Sequence, residues 1–428
     1  MDMIYDELFS KIKIPDFYKV SQSIDREKIE NVQEYLVKEL KASEMGERIK
    51  SGASIAVTAG SREIDNYALI LRTICDFLKE HGAKPFIIPA MGSHGGAIAE
   101  NQTRLIAHFG ITEQSMGVPI RSSMETVYLG DTESGLPVYF DKNAAQADGI
   151  IPVGRVKIHT CFHGVIESGV MKMLAVGCGK QKGAATLHKH GFPNMCRNVM
   201  ETARVSMEKL PVLFGVGILE NACHQTREIK VMPVEKLKDM EHEMVEKSRQ
   251  LSPVVPFDKA DVMIVDQMGK NISGTGMDPN ITGRSSPLGT FRPYVERLAV
   301  LDLTEESDGS AYGVGNADVI SKRLFSKIIM DNTYPNGITN RDGKPMMIPP
   351  VMPDDKNTLL YAFGTLQGQA AERPPKAVWL HNTLCLEEFY ISEALLEQAK
   401  QNTKLKICSG PLRVRFDGQG SVDGWDSL

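Results

Sequence analysis

A strand, a glycine-containing turn and a helix follow one another twice near the amino terminus, and this succession limits the fold more than any other feature. Residues 54–57 are a short apolar run, the turn TAGSR follows, and a helical pattern covers 65–80 and stops at Gly82. The unit then repeats with an apolar run at 84–89, the turn MGSHGGA and a helical pattern over 97–109. Such alternation predicts a parallel sheet with its binding loops at the carboxyl ends of the strands. Those loops hold Ser61 and Arg62 in TAGSR, and Gly92, Ser93 and His94 in GSHGG.

Further along, Ser23 is placed to cap a helix over 25–41, and 213–219 and 227–232 read as facing strands. The charged helix 234–251 and the linker SPVVPF close this half. A second run opens with a strand at 260–266 that leads into the glycine-rich loop DQMGKNISGTGMDPNITGR. A strand at 297–303, helices near 317–328 and 356–366, a strand at 377–380, a helix over 387–401 and a strand at 405–407 complete a second α/β unit. A chain of 428 residues is too long for one core. The expected fold class is α/β, as two α/β domains with parallel-rich sheets and a cleft between them: an amino-terminal domain 1–255 and a carboxy-terminal domain 256–428 that closes the substrate cleft.

Charged residues make up 24% of the chain and the net charge is −5, which gives no electrostatic case for nucleic acid or an anionic membrane as partner. A small molecule is the default ligand. No apolar run approaches the roughly 18 residues of a membrane span, and the start MDMIYDELFSKIKIPDF lacks the basic-then-apolar design of a secretory signal. A cytoplasmic protein is expected. The seven cysteines contain no CxxC pair, so neither a disulfide framework nor a zinc ribbon is indicated.

Four of the ten histidines (His159, His163, His188, His190) fall in residues 157–190, with five lysines and two cysteines. Histidine serves as acid/base and metal ligand, and a desolvated lysine as nucleophile. Glycines at 164, 169, 177, 179 and 183 suggest a binding loop with short regular pieces. GCGKQKG is no phosphate-binding P-loop, because Leu174 stands where the first glycine belongs and Gln181 follows Lys180. His188 and His190, two positions apart, would face one side only in a strand, so one metal ligand is favoured over two. For His94 and Arg62 the plain alternatives are a cap and a surface arginine. At least one of His159 and His163 suits a buried, satisfied role. Asp266, Lys270, Asn271 and Arg284 line either a substrate-facing loop or an ordinary connection.

In order, SR after a strand, GSH after the next, KxH after a later one, SGxxK and a histidine sixteen positions on resemble the nickel-dependent lactate racemase family over the amino-terminal two-thirds. That family's pattern runs TRP, GTHR, KxH, SGGRK, LPG and NH. The resemblance implies a racemase or epimerase that inverts Cα of a 2-hydroxy acid, with 1–255 as the cofactor-binding catalytic domain. It implies a nickel-pincer nucleotide attached through Lys172, His188 as the nickel ligand, and His94 and His159 as the acid/base pair. Ser61, Gly92 and Ser93 would help hold the cofactor; Arg62 would bind the substrate carboxylate. Gln267 and Lys270, with Arg284, are the carboxy-terminal candidates for substrate. Hydride leaves for the cofactor while a histidine removes the hydroxyl proton, and return to the other face of the planar keto acid inverts the centre. Implied partners are a small 2-hydroxy acid and the cofactor-biosynthesis proteins, and a homo-oligomer is compatible with the sequence.

SGVMK here replaces SGGRK, AVG replaces LPG, and no proline follows SR. His159 stands thirteen positions before Lys172, more than the family spacing, so His163 rivals it. These departures imply a different substrate, such as a sugar acid. The alternatives are a cofactor-free or nucleotide-dependent lyase or dehydrogenase on the same scaffold, and a non-catalytic binding protein for a carboxylate or sugar acid.

Overall fold

A computed structural model describes residues 3–189, 191–285 and 291–428, and the chain divides into two compact units, Asp25–Ser252 and Met1–Ile24 with Pro253–Leu428. The architecture is mixed α/β with parallel-rich sheets, as expected. Among the described residues no helix is long and apolar enough to cross a membrane.

In Asp25–Ser252, three parallel strands lie in the order Lys84–Pro89, Ser54–Ala59, Gly149–Ile151. Val153–Arg155 pairs in parallel with Phe214–Glu220, which pairs antiparallel with Thr226–Pro233. Both faces of Ser54–Ala59 are covered. Ile55, Val57 and Ala59 join Ile70, Ile74 and Leu78 of helix Tyr67–Glu80 in one core, while Ala56, Phe86 and Ile88 join Leu174, Ala175 and Val199 in another. Burial on two sides removes polar alternation, which is why these strands read as continuous apolar runs.

The helix expected over 25–41 starts later, at Val32, capped by Asn31, whose side chain accepts from the Glu34 N–H at 3.1 Å. The preceding residues are extended instead, because the Ile29 N–H bonds the Thr226 carbonyl at 2.8 Å and Arg227 pairs with Asp25 at 3.4 Å. A larger correction concerns residues 157–190. Val170–Lys172 runs through a π-helical turn, Met173–Gly177, and leads to helix Lys180–His188, so the second half of the segment is helical. Its glycines serve close packing: a Cβ on Gly177 would stand 2.6 Å from the Ala90 carbonyl oxygen, and one on Gly179 2.6 Å from that of Ala175.

The other unit is built on one nine-stranded sheet. Val351–Met352, Val319–Ser321, Tyr294–Leu303, Lys259–Met268 and Ala377–Leu380 are parallel in that order. Glu388–Ser392, Phe17–Gln22, Leu405–Phe416 and Val422–Ser427 continue it antiparallel. Phe17–Gln22 is thus an interior strand of the carboxy-terminal sheet, whereas a domain 1–255 had placed it with the other half. The helix expected over 387–401 is a strand, Glu388–Ser392, followed by the short helix Leu396–Gln401. Aromatic and β-branched EFYIS finds a partner on each side, and sheet pairing overrides the helical pattern. The region 317–328 likewise opens as strand Val319–Ser321 before helix Lys322–Ser326.

Candidate active site

Two post-strand turns pack beside the helical segment that bears Lys172 and His188. In TAGSR, the Gly60 N–H donates to Tyr67 Oη at 2.6 Å, and burial pushes the Tyr67 hydroxyl up to about 12. A Cβ on Gly60 would stand 3.0 Å from Met173, the residue after Lys172. Arg62 keeps an exposed side chain. Loss of water around its guanidinium, and then the charge of Arg155, hold its pKa below the usual arginine range. Arg155 itself pairs with Glu220 at 2.6 Å, and a guanidinium such as that of Arg62 can grip an anion bidentately.

The GSHGG turn needs its glycines, since Gly92 has φ +58° and Gly95 and Gly96 have φ +67°. Buried Gln102 locks it by donating Nε2 to the Gly92 and His94 carbonyls, both at 3.0 Å. The Gly92 N–H bonds the Gly177 carbonyl at 3.2 Å, which docks the turn on the Lys172 segment. His94 makes no side-chain cap. Its Nδ1 lies 2.8 Å from the Met91 carbonyl, and a carbonyl only accepts, so Nδ1 bears the hydrogen and Nε2 the lone pair.

Lys172 retains some surface, yet its ammonium is enclosed by protein. Burial lowers it to about 8; Lys157 and Arg62 act the same way, and Cys161 and Glu167 oppose them. Phe162 lies between two site residues, with the Lys172 Nζ 5.9 Å and the His159 ring 4.3 Å from its ring centroid. His159 is held well below 6.5, by burial first and then by the charges of Lys172, Lys157, His188 and His163. His188 ends helix Lys180–His188 against Phe192, ring centroids 5.7 Å apart, and burial with the Lys172 charge lowers it to about 4. Both histidines are neutral at pH 7. The structure therefore brings Arg62, His159, His163, Lys172 and His188 into one electrostatic neighbourhood, with the His94 turn packed beside it.

Sequence reasoning missed three residues. Glu167, fully buried, accepts from the His159 N–H at 2.5 Å, from Arg249 at 2.7 Å and from His163 Nδ1 at 3.2 Å. Glu241, also fully buried, accepts from the Met171 N–H at 2.8 Å, one residue before Lys172. Glu241 had a signal: it shares the stripe Leu237, Met244, Val245, Ser248 on the buried side of its helix. Arg249, on that same helix, had none. Gln267 and Lys270 belong to the carboxy-terminal unit, at and just beyond the end of Lys259–Met268; the Gln267 N–H bonds the His381 carbonyl at 3.0 Å and the Lys270 N–H bonds Ser307 Oγ at 2.8 Å. Arg284 pairs with Asp318 at 2.6 Å. His190 lies outside the described residues.

The residues present suit a tethered metal cofactor. The Nδ1 of His188 is buried without a hydrogen-bond partner, an open coordination point for a metal, and Lys172 is an amine half neutral near pH 8. Among the described residues no group of three or more His, Cys, Asp or Glu side chains forms a metal site.

Residues 6–198 match the lactate racemase N-terminal domain. The amino-terminal part of the chain is thus similar to the lactate racemase family. Among solved structures it is similar to the lactate racemase apoprotein from Thermoanaerobacterium thermosaccharolyticum, with 14% identity, a TM-score of 0.44, and coverage of 71% of this chain and 73% of that one. It is also similar to a protein from Thermotoga maritima, with 13% identity, a TM-score of 0.48, and coverage of 83% and 89%. No curated protein matches the sequence. The lactate racemase family fits the motif order SR, GSH, KxH, SGxxK and His188, all of which lie inside the matched residues.

Proposed function

We propose that this chain is a member of the lactate racemase family and an isomerase that inverts Cα of a 2-hydroxy acid, lactate-like or a larger sugar acid, with a nickel-pincer nucleotide joined to Lys172. When bound, that cofactor supplies a hydride acceptor next to the substrate carbon. The observation behind this reading is Lys172 itself: an enclosed amine at about 8, near the buried, partnerless Nδ1 of His188, within the residues that match the lactate racemase N-terminal domain.

The other roles follow from what each side chain can do. Arg62, next to Arg155, attracts the substrate carboxylate and fixes which end of the acid faces the histidines. His94 presents a lone pair at Nε2 and can take the hydroxyl proton. A second histidine from His159 and His163 serves the opposite enantiomer. Ser61, Gly92 and Ser93 lie on the two turns whose backbone can hold cofactor phosphate. The cofactor-synthesis proteins are its partners in this reading.

The deciding experiment is peptide mass spectrometry across Lys172, with metal analysis, on protein made alongside cofactor-synthesis proteins. A mass adduct on Lys172 with bound nickel, both lost in Lys172→Ala, is expected. An unmodified Lys172 in a host that loads a known racemase would sink the reading and favour a cofactor-free enzyme or a binding protein.

A further inference from the structure

We propose that Glu167, clamped by Arg249, is a positioning carboxylate that makes His163, and not His159, the second proton-transfer histidine of this site. The proposal rests on the racemase reading.

Hydrogen placement carries the argument. Glu167 is fully buried and its carboxylate accepts from the backbone N–H of His159 at 2.5 Å, from that of Gly164 at 3.3 Å, from Arg249 Nη2 at 2.7 Å and from His163 Nδ1 at 3.2 and 3.3 Å. A carboxylate only accepts. His163 therefore bears its hydrogen on Nδ1, and Nε2 is the ring's basic atom, the arrangement a carboxylate imposes on a general base. His94 has the same tautomer, imposed by the Met91 carbonyl.

His159 is held the opposite way. Its Nδ1 accepts from the Cys161 N–H at 3.0 Å, and a backbone N–H only donates. The neutral ring must then bear its hydrogen on Nε2, where it can donate to an oxygen but cannot take a proton without first losing one. Burial and the neighbouring cations keep that ring neutral. Two histidines that accept at Nε2, His94 and His163, and one that donates, His159, are what an inversion needs: a base for each enantiomer and a donor for the developing oxyanion.

Glu167 stays charged although burial alone would raise its pKa, because hydrogen bonds from His163, the His159 backbone and Arg249 hold it below the usual range. The charged and titratable groups around it are His163 on its own loop, Arg249 with Glu246 3.6 Å from that guanidinium on helix Leu237–Leu251, and Lys172. Arg249 is 38% exposed and lies outside the core, and Glu167 keeps the His159 and Gly164 N–H groups and His163 Nδ1 as donors when it is replaced.

The test starts with long-range proton–nitrogen NMR of histidine-labelled, cofactor-free protein at pH 8, with His159→Gln and His163→Gln for assignment. His163 is expected as the Nδ1–H tautomer and His159 as Nε2–H, with Glu167→Ala shifting His163 towards Nε2–H. The reverse assignment in wild type overturns the proposal. In loaded enzyme, His163→Gln should lower kcat by roughly 10²–10⁴-fold, while Arg249→Leu lowers it by roughly 10–100-fold with KM unchanged and moves the acid limb of the kcat profile to higher pH. If Glu167→Ala does not fold, Arg249→Leu decides, because a structural role alone would leave the pH limb in place. Because the tautomers are read without cofactor, an unmodified Lys172 would sink the racemase reading while the tautomers still judge the dyad.

Discussion

Lys172 and Glu241 are two ionisable groups displaced by the same burial, with opposite results. For the lysine, burial favours the neutral amine, so it becomes acylatable above about pH 8 instead of 10.5. Competitive labelling with a trace acylating reagent should give Lys172 a midpoint near 8; a midpoint near 10.5 would mean that the amine is solvated and poorly suited to tethering. For Glu241, burial pushes the carboxyl up from 4.5 to about 8. Between those values the folded protein binds one proton that the unfolded chain does not, so its contribution is fully present below pH 4.5 and stability falls as pH rises towards 8, by at most about 1.4 kcal/mol per pH unit. Glu241→Gln keeps an acceptor for the Met171 N–H and should flatten urea midpoints measured from pH 5 to 8. Parallel curves for the two proteins would place the Glu241 charge elsewhere in the balance. Gly169 faces the Glu241 carboxyl where a Cβ would collide, so Gly169→Ala disturbs the turn before Lys172 by contact, not by φ.

At the scale of elements, one buried ion pair joins three pieces of the site. Lys180, at the start of the helix that ends in His188, is fully buried, pairs with Asp141 Oδ2 at 2.9 Å and donates to the Pro89 carbonyl at 2.5 Å. It thereby ties that helix to the end of Pro137–Asp141 and to the strand preceding the His94 turn. Lys180→Met should destabilise the protein by about 3–5 kcal/mol, because buried Asp141 keeps the Ala144 N–H but loses its counter-ion. Chemical denaturation of Lys180→Met and Lys180→Met with Asp141→Asn checks this: the second variant, which removes the stranded charge, should recover most of the loss. Much at this scale was legible in the sequence. Strand Lys84–Pro89, helix Tyr67–Glu80 and the hairpin of Phe214–Glu220 with Thr226–Pro233 announce themselves through local pattern and punctuation. Helix Lys180–His188 and strand Glu388–Ser392 did not, because glycines that permit close packing look like breaks, and a strand held by flanking partners need not look like one. The candidate site was legible as a set of residue types in order; the Glu167–Arg249 contact was not, because it joins residues 82 positions apart.

For the whole molecule, the division into units sets what can fold alone. Asp25–Ser252 is continuous in sequence and closes its own cores, whereas Pro253–Leu428 lacks the strand Phe17–Gln22 that lies between Glu388–Ser392 and Leu405–Phe416. Fragment 25–252 should melt cooperatively by circular dichroism; fragment 253–428 should not, unless a peptide of residues 1–24 is supplied. Cooperative melting of 253–428 alone would show that Phe17–Gln22 is dispensable to its sheet.

The same strand has a consequence during synthesis. Phe17–Gln22 leaves the ribosome more than 350 residues ahead of either of its neighbours, Glu388–Ser392 and Leu405–Phe416. At translation rates of about 5–20 residues per second, it waits roughly 20–80 s with its backbone groups unsatisfied while Asp25–Ser252 folds behind it. An unpaired strand of that kind invites capture by another nascent chain, so the yield of active protein should depend on how quickly the message between the paired strands is read.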